Sequence, residues 1–399
     1  MNHPTTLSFW ERESFLSGID VVVIGSGIVG LSAALALRER DPSVSVAVVE
    51  RGALPEGAST RNAGFACFGS LSELLDDLET QSESDVFALV ERRFRGLARL
   101  RERCGDVHLQ YEPLGGYEIF KKVEPLVFEK CADSLAYFNK MTRGITGLAE
   151  TYRLSTTDFG FQNVLPTMIF NAAEGQIHTG KMMTRLLDLA CAQDIRFFNG
   201  LKINQLVDNF PQSEKFATSF SEGIRENTEG SSVELITDEG WSFRARKVIV
   251  ATNGFARQLM PTLEVMAARN QVWMTEPIPN LKVKGCFHYD KGYYYFRNVG
   301  NRLLVGGGRH LAFAEEKTDA FGATETIQDA LNQLVTSVIL PNKMFEISDS
   351  WSGILGIGQQ KKPIIQHVSP NVVVAVRMGG MGVAIGSLVG EEAAALVSN

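Results

Sequence analysis

The sequence has few cysteines and few histidines, the residues that would point to a disulfide-rich or metal-binding protein. Its 399 residues contain 5 cysteines, which are scattered, odd in number and never arranged as C-x-x-C: Cys67, Cys104, Cys131, Cys191 and Cys286. We therefore expect reduced thiols in a cytoplasmic protein rather than a disulfide framework or a zinc site. The 6 histidines are thinly spread. Because no metal-ligand, Ser-His-Asp or paired-carboxylate pattern stands out, we expect no metal.

Positive charge and long apolar runs are also scarce. With 39 Lys and Arg against 46 Asp and Glu, the net charge is -7, which argues against a nucleic-acid partner. The amino-terminal stretch lacks a basic segment followed by an apolar one, so we expect no secretory signal. Ile19 to Leu37 is apolar, but glycines and a turn interrupt it, so we expect no transmembrane segment. Peripheral membrane association and the oligomeric state stay open.

What the sequence does contain begins with a β-α-β unit. Asp20 to Gly25 is a short β-branched run that predicts a strand buried on both faces. Leu31 to Arg40 predicts a helix, and Val44 to Glu50 predicts a second buried strand. The unit has the length expected of two parallel strands joined by a helix.

The turn between the first strand and the helix carries G-x-G-x-x-G at Gly25, Gly27 and Gly30. These glycines allow a tight turn, a close approach of the backbone to a pyrophosphate, and close packing of helix on strand. Glu50 ends the second strand, where a carboxylate accepts hydrogen bonds from a ribose and disfavours a 2′-phosphate. The pattern therefore predicts a dinucleotide, either NAD or FAD.

Further elements follow from the periodicity. We predict helices over 72–103, from Pro125 to about Leu148, from His178 to Cys191 and from Val383 to Val397. We predict strands over 195–198, 247–254, 270–276, 292–297, 302–307 and 371–377. Asn298 to Asn301 is expected to form a hairpin turn, Met378 to Gly382 a glycine-rich turn, and the polar stretch from Ser213 to Ser232 a loop or hairpin excursion.

Six segments together carry a resemblance to a known family: residues 20–50, 57–64, 175–181, 247–254, 293–307 and 351–390. The sequence resembles the D-amino-acid-oxidase-like flavoproteins, which include glycine oxidase, sarcosine oxidase, D-amino-acid dehydrogenase and γ-glutamylputrescine oxidase. The resemblance covers nearly the whole chain and implies FAD rather than NAD. It is not specific to a substrate.

The implied fold class is α/β, with a discontinuous Rossmann-like FAD-binding domain and a smaller α+β substrate domain on a mostly antiparallel sheet. We assign residues 1–85, 173–256 and 346–399 to the FAD-binding domain. Residues 86–172 and 257–345 are assigned to the substrate-binding domain.

The resemblance also implies which residues hold the cofactor. Ser59, Thr60, Asn62 and Gly64 match a loop that lies against the pyrophosphate and flavin ring, and a backbone contact to the adenine falls near Ile203. The full set predicted to bind FAD is Gly25, Gly27, Ile28, Gly30, Glu50, Arg51, Ser59, Thr60, Asn62, Ala63, Gly64, Ile203, Ala251, Thr252, Gly254, Gly353, Gly380, Met381 and Gly382.

The C-terminal glycine-rich turn carries the predicted catalytic chemistry. Backbone N–H groups of Gly380, Met381 and Gly382 are expected beside the pyrimidine edge of the flavin, where they would stabilise the negative charge of reduced flavin as an oxyanion hole does. Tyr293 and Tyr295 are expected to face the flavin pocket, with Tyr294 on the other face of the strand.

Three departures from the relatives limit the assignment. The arginine that pairs with the substrate carboxylate would fall at Ile354-Leu355, and Arg377 is our first substitute, ahead of Arg309, Lys361 and Lys362. The lysine that assists oxygen would fall near Leu304, so the electron acceptor is oxygen or another carrier. No cysteine lies between Phe287 and Asn399, so we expect non-covalent FAD.

The expected reaction is hydride transfer from a carbon bearing nitrogen to flavin N5, giving an imine that hydrolyses. The expected substrate is a small amino acid or amine. Three alternatives stay open: an FAD-dependent 2-hydroxy-acid dehydrogenase of the same superfamily, a non-catalytic flavoprotein, and an RNA-modifying oxidase domain, against which the acidic balance speaks.

Overall fold

The computed structural model describes residues 6–209 and 231–398, and these residues form nineteen strands and eleven α-helices. The strands are β1 (Val21–Ile24), β2 (Val46–Glu50), β3 (Phe65–Ala66), β4 (Gly116–Ile119), β5 (Tyr152–Ser155), β6 (Met168–Asn171), β7 (Gly175–Gln176), β8 (Arg196–Asn199), β9 (Ile203–Asn209), β10 (Ser232–Thr237), β11 (Ser242–Ala245), β12 (Lys247–Val250), β13 (Met266–Thr275), β14 (Cys286–Tyr289), β15 (Tyr294–Val299), β16 (Arg302–Gly307), β17 (Ile347–Ile357), β18 (Ile364–Ser369) and β19 (Val372–Val376). The helices are α1 (Ile28–Arg40), α2 (Ala58–Arg61), α3 (Leu71–Thr80), α4 (Glu83–Cys104), α5 (Asp106–Leu109), α6 (Pro125–Asp133), α7 (Leu135–Thr146), α8 (Thr179–Cys191), α9 (Ala256–Leu259), α10 (Glu325–Leu334) and α11 (Gly382–Ser398).

A six-stranded sheet has the order β18-β19-β12-β1-β2-β8, and all its pairings are parallel except β18 with β19. Val21 and Val23 pack on one face against α1, α8 and α11. Val22 and Ile24 pack on the other face against the three-stranded sheet β11-β10-β9. Burial on both faces explains the unbroken apolar runs of these strands and confirms the predicted β-α-β unit.

An eight-stranded sheet has the order β17-β13-β16-β15-β14-β4-β6-β5, and only β14 pairs in parallel, with β4. On one face Phe287, Phe296 and Val305 pack against α10 in a hydrophobic core. The opposite face carries Tyr295 and His288, which are paired across β15 and β14. The mostly parallel six-stranded sheet and this mostly antiparallel sheet together confirm the predicted α/β fold class.

Two predicted helices are each interrupted. The helix predicted over 72–103 is α3 and α4, because Ser82 caps the second helix by accepting a hydrogen bond from the Asp85 N–H. The helix predicted from Pro125 is α6 and α7, which meet at Ser134. Helix α1 also begins three residues before the predicted Leu31, at Ile28. The sequence pattern missed these breaks because both sides of each break keep the helical spacing of apolar residues.

Other predictions differ by smaller amounts. The turn predicted over residues 298–301 is shorter, because β15 continues to Val299 and β16 begins at Arg302. Most of the predicted excursion from Ser213 to Ser232 lies outside the described residues, and its end is the first residue of β10. None of the five cysteines forms a disulfide. Among residues 6–209 and 231–398, no helix has the length and apolar character needed to cross a membrane.

The division into two domains stays a prediction. β17 pairs with β13 in the eight-stranded sheet, although the predicted range 346–399 assigns it to the FAD-binding domain. Helix α4 packs closely on α11, since a Cβ at Gly96 would lie 2.4 Å from the Ala384 carbonyl oxygen. Sheet membership alone would therefore move the last boundary to the end of β17.

Candidate active site

A cavity of about 540 Å³ lies between the carboxyl ends of β1, β2 and β12 and one face of the eight-stranded sheet. Gly25, Glu50 and Thr252 line it from the first sheet. Asn270 and Tyr295 line it from the second. Ligands of open parallel sheets bind at the carboxyl ends of the strands, and a cavity of this size suits a bound small molecule.

The glycine-rich turn forms one wall of this cavity. Gly25 has a φ of +104°, and a Cβ at Gly30 would lie 1.9 Å from the Gly25 carbonyl oxygen. Glycine at both positions is therefore needed for α1 to start directly after β1. Gly27 is the N-cap residue of α1 and has no side chain that could cap the helix. Both Gly27 and Ile28 line the cavity. The Ile28 N–H donates to the Ser59 hydroxyl at 2.9 Å, so what this helix end offers a phosphate is the N–H groups that follow Ile28 and a partial positive charge.

Glu50 is fixed at the carboxyl end of β2, with only 7% of its surface exposed. Its Oε2 accepts hydrogen bonds from the Ser26 N–H at 3.1 Å and the Ser26 hydroxyl at 2.7 Å. Its Oε1 accepts one from the Gly52 N–H at 3.1 Å. These donors hold the carboxylate at the cavity wall, where its remaining lone pairs suit the hydroxyls of a ribose.

The loop from Gly57 to Gly64 is braced from within. Asn62 donates its amide to the carbonyl oxygens of Ala58 and Ser59, and its Oδ1 accepts from the Gly64 N–H at 2.8 Å. The Asn62 side chain therefore shapes the loop, although the residue also lines the cavity.

A buried arginine ties the same loop to the eight-stranded sheet. Arg297 donates to the carbonyl oxygens of Ala63 and Ile177. It is 5% exposed, and burial lowers the pKa of its guanidinium below the ordinary value. Its partners are carbonyl oxygens rather than carboxylates, so the guanidinium holds the loop in place without neutralising its charge.

The C-terminal turn borders the cavity with Gly380, Met381 and Gly382. The Met381 N–H donates to the Met378 carbonyl oxygen at 3.0 Å, so it is not available to a flavin as we predicted. The N–H groups of Gly380 and Gly382 have no acceptor among the described residues. Two of the three predicted donors therefore remain.

Unpartnered polar atoms test whether these residues fit FAD. Among the described residues, the Thr252 Oγ1 and the Asn270 Oδ1 are buried without a hydrogen-bond partner, and both residues line the cavity. A buried polar atom without a partner costs about 1–3 kcal/mol, so a ligand with complementary polar groups is expected there. With the helix end at Ile28 and the Glu50 carboxylate, the site fits a flavin dinucleotide.

Two of the three consecutive tyrosines face the cavity. Tyr293 and Tyr295 line it, whereas Tyr294 is buried in the core on the opposite face. The Tyr295 hydroxyl accepts a hydrogen bond from the Asn270 amide at 3.1 Å. Burial raises the pKa of Tyr295 above its ordinary value, so this hydroxyl stays protonated and remains a donor.

His288 also lines the cavity, opposite Tyr295 on the neighbouring strand. Its ring lies 5.4 Å from the ring of Phe65, edge to face. Burial lowers the pKa of His288 to about 4, so the imidazole is neutral near neutral pH. Its Nε2 is buried without a hydrogen-bond partner among the described residues.

Arg377 is not at the cavity, which corrects our first choice for the carboxylate partner. Its guanidinium donates to the carbonyl oxygens of Lys362 at 2.8 Å and Glu264 at 3.1 Å. The residue has a φ of +69°, and its side chain packs on Gly358, where a Cβ would lie 2.6 Å from the Arg377 Cδ. The guanidinium of Arg377 is therefore used by backbone carbonyl oxygens and does not line the cavity.

The other cationic candidates differ in their partners. Lys361 lines the cavity but is paired with Glu73 at 3.1 Å and Asp77 at 2.7 Å, and Lys362 is paired with Asp85. Arg309 lines the cavity and has neither a hydrogen bond nor a salt bridge with a described residue. Its guanidinium stacks 4.8 Å from the centre of the Phe313 ring, and burial lowers its pKa.

Most predicted site residues line this one cavity: Gly25, Gly27, Ile28, Glu50, Arg51, Ser59, Asn62, Ala63, Ile203, Ala251, Thr252, Tyr293, Tyr295, Gly353, Gly380, Met381 and Gly382. Gly30, Thr60, Gly64, Gly254 and Arg377 do not. Thr60 donates to the Pro55 carbonyl oxygen within its loop, and Gly254 lies where a Cβ would be 2.6 Å from the Leu355 carbonyl oxygen. These residues contact the parts of the chain that border the cavity rather than the cavity itself.

Sequence reasoning missed Phe65, Asn270 and His288 in the cavity. A signal existed for His288, because Phe287 and His288 alternate between an apolar core and the cavity face as neighbouring residues of a strand do. Asn270 was the first residue of the strand predicted over 270–276, and it lies in the middle of β13 because that strand begins earlier, at Met266. No local pattern showed that these residues share a site.

Comparison with known proteins is consistent with this geometry. A protein-family model described as FAD dependent oxidoreductase (DAO) matches residues 20–396. The chain is 22% identical over 391 residues to a probable oxidoreductase OrdL of Rhizobium meliloti (strain 1021), covering 93% of this chain and 81% of that protein.

Solved structures share the fold. Glycine oxidase from Geobacillus kaustophilus has a TM-score of 0.70 at 21% identity, over 95% of this chain and 94% of that one. The L-amino acid deaminase from Proteus vulgaris has a TM-score of 0.70 at 17% identity, over 95% of this chain and 93% of that one. At these identities the likeness establishes the fold and does not carry over a substrate.

Proposed function

The chain belongs to the family of FAD dependent oxidoreductases, and we propose that it oxidises the carbon–nitrogen bond of an amino acid or amine. One observation carries the proposal. The cavity is continuous from the glycine-rich turn and Glu50, at the dinucleotide end, to Tyr293, Tyr295 and Arg309 at the other end. A substrate bound beside these last residues would therefore share one continuous cavity with the cofactor.

FAD, when bound, would accept a hydride from the carbon that bears nitrogen and leave an imine for water to hydrolyse. The helix end at Ile28 and the Glu50 carboxylate would hold its phosphates and ribose. The N–H groups of Gly380 and Gly382 would donate hydrogen bonds to the edge of the ring that gains negative charge. We propose that the FAD is bound non-covalently.

The chain's own polar groups suit an amine that binds in its uncharged form. An amine donates a hydride from its carbon only when the nitrogen is uncharged, so an ammonium substrate needs a base. His288 is neutral at ordinary pH and its lowered pKa makes it a weak base, so we propose that its Nε2 accepts a hydrogen bond from the uncharged amine rather than the proton. The Tyr295 hydroxyl would position the nitrogen or a neighbouring polar group.

Arg309 favours an amino acid over a simple amine. It lies at the end of the cavity opposite the glycine-rich turn, and its guanidinium has no hydrogen bond or salt bridge with another described residue. A guanidinium matches a carboxylate with two parallel N–H groups. Stacking on Phe313 leaves those N–H groups available at the edge of the guanidinium plane. We therefore propose that Arg309 replaces the missing arginine at Ile354-Leu355.

Arg309 would bind the carboxylate of a 2-hydroxy acid equally well, so a 2-hydroxy-acid dehydrogenase is the second candidate. Oxygen and another carrier both remain possible acceptors. We place the protein in the cytoplasm, because its five cysteines are free thiols and four of them are buried. We propose no nucleic-acid partner, because of the net charge of -7.

A matched panel of substrates tests the proposal. Purified protein with its flavin is mixed without oxygen with an α-amino acid, the amine that lacks its carboxylate, and the corresponding 2-hydroxy acid, for several side chains. Bleaching of the flavin absorbance by an amino acid supports the proposal, and readmitting air shows whether oxygen accepts the electrons. Bleaching by 2-hydroxy acids alone assigns the second candidate.

Reduction with dithionite is the control, because it shows whether the bound flavin can be reduced by a chemical reductant. If dithionite bleaches the flavin and no substrate does, the protein is a non-catalytic flavoprotein. Release of the flavin by acid precipitation checks that it is not covalently attached.

A further inference from the structure

Three potential metal ligands from distant parts of the sequence meet at the cavity wall. Cys67 follows β3, Glu174 precedes β7, and His288 lies in β14. One ligand atom from each lies within 4.8 Å of the other two. Cys67 and Glu174 are each 2% exposed, so the cluster is shielded from bulk solvent.

One carboxylate oxygen of Glu174 accepts hydrogen bonds from the backbone, and the other faces His288. Its Oε1 accepts hydrogen bonds from the N–H groups of Phe68 at 2.9 Å and Gly69 at 3.2 Å. Its Oε2 lies 3.9 Å from the His288 Nε2. Glycine at position 116 leaves room for this oxygen, since a Cβ there would lie 1.9 Å from it.

The nitrogen that faces Glu174 has no hydrogen bond. The His288 Nε2 is buried without a partner among the described residues, and at 3.9 Å the Glu174 oxygen is too far for one. Burial favours the neutral imidazole, the form that binds metals. This unpartnered nitrogen is the observation that points to a ligand.

A second sulfur lies close by. Cys286 is two residues before His288 on β14, so both side chains point to the same face of the strand. The Cys286 sulfur lies 3.2 Å from the Gly175 carbonyl oxygen, and the Cys67 sulfur lies 3.9 Å from the same oxygen. Cys286 could therefore complete the donor set or remain a neutral thiol beside it.

We propose that Cys67, Glu174 and His288 bind a thiophilic divalent cation of the zinc type. Thiolate, imidazole and carboxylate are the ligands that zinc takes in proteins, at about 2.0–2.3 Å. In a tetrahedral site with these bond lengths the ligand atoms lie about 3.3–3.8 Å apart, so ligand atoms now within 4.8 Å of each other need to move together by about 1 Å. One thiolate and one carboxylate neutralise a divalent ion, so the bound cluster carries no net charge in a buried place.

The proposed site has a path to solvent and a consequence for the cavity. Cys67 and His288 both line the cavity, so an ion can enter through it. Bound zinc would take the His288 Nε2 that we propose as a hydrogen-bond acceptor for the substrate amine. We therefore expect zinc to inhibit flavin reduction. The binding of zinc itself does not depend on the proposed function.

The test is zinc binding to the FAD-loaded protein. The protein is reduced with a phosphine, treated with a chelator, and titrated with Zn²⁺ in competition with a chromophoric chelator. We expect one Zn²⁺ per chain. Cys67→Ala and His288→Gln should each weaken binding at least about 100-fold, since each removes one of three ligands. Cys104→Ala, another buried cysteine that packs in the core beside α1 and does not line the cavity, is the matched control and should bind as the parent does.

A spectroscopic readout identifies the ligand independently of activity. Cd²⁺ bound to a thiolate gives an ultraviolet charge-transfer band, which we expect in the difference spectrum of the parent and not of Cys67→Ala. The flavin spectrum and the melting temperature show whether each variant is folded. Absence of stoichiometric zinc, or unchanged affinity in either variant, would overturn the assignment. Inhibition is measured separately, so a wrong substrate class would not affect the binding result.

Discussion

Replacing Arg309 by methionine tests the proposed substrate site most directly. The change removes the charge and keeps an unbranched chain that can still pack on Phe313. Arg309 has no hydrogen bond or salt bridge with another described residue, so the variant leaves no polar partner of its own unsatisfied. The effect should therefore fall on the substrate rather than on the fold.

The expected magnitude follows from the hydrogen bonds that the guanidinium would make. A hydrogen bond to a charged group is worth about 1.5–3 kcal/mol, and about 1.4 kcal/mol corresponds to a factor of ten. Loss of the pair should lower kcat/KM for an amino acid about 100-fold. The matched amine without a carboxylate should change by less than about threefold, because it has nothing for Arg309 to bind.

Anaerobic stopped-flow reduction of the flavin measures both numbers. Arg309→Lys keeps the charge without the planar fork and should fall between parent and methionine variant. Lys317→Met is the control, because it removes one positive charge from an exposed residue near Arg309 in the chain but off the cavity. An equal loss for the amino acid and the amine, or no loss for either, would refute the role of Arg309.

Three further predictions concern the cofactor and the core. Gly30→Ala should give protein that does not retain FAD on gel filtration, because its Cβ would lie 1.9 Å from the Gly25 carbonyl oxygen, whereas Gly144→Ala, in α7 away from the cavity and with open space around its Cβ, should retain it. Glu50→Gln should weaken FAD binding about 10–100-fold in a fluorescence titration of the apoprotein, because one charge-assisted acceptor is lost; unchanged affinity would exclude the ribose contact. Burial raises the pKa of Glu118 from 4.5 to about 7 in the folded protein. The protonated side chain therefore stabilises the folded state fully below about pH 4.5, and this stabilisation is lost as pH rises through about 7. Glu118→Gln should therefore flatten the fall in the free energy of unfolding over that range, by up to about 3 kcal/mol in urea titrations, and an unchanged slope would show that Glu118 is not the group responsible.

The dinucleotide end of the site was predictable because its residues are close in sequence. Gly25, Gly27 and Glu50 lie within one β-α-β unit, and backbone geometry alone requires glycine at the first turn. The strand and helix patterns on either side of that turn are confirmed. What the pattern could not show is which N–H groups are free, since the use of the Met381 N–H within its own turn depends on local backbone angles.

The substrate end was predicted less well because its residues are distant in sequence. Arg377 and Arg309 look alike as single residues near glycine-rich turns. They differ because the Lys362 and Glu264 carbonyl oxygens are close to one guanidinium and not to the other. Similarly, no spacing rule joins Cys67, Glu174 and His288, which are about a hundred residues apart and meet only in the folded chain.

The register of β14 and β15 decides which of their residues face the cavity and which face the core. His288 and Tyr295 face the cavity, while Phe287 and Phe296, their neighbours in β14 and β15, form the core on the other face. A shift of one residue would exchange the two sets, so the core that fixes the register also selects the polar groups offered to a substrate. A chain can therefore keep the core residues and the dinucleotide turn while changing the cavity-facing residues of the same strands. Substrate preference within such a fold should follow those alternate positions, and here they present His288, Tyr295 and Asn270.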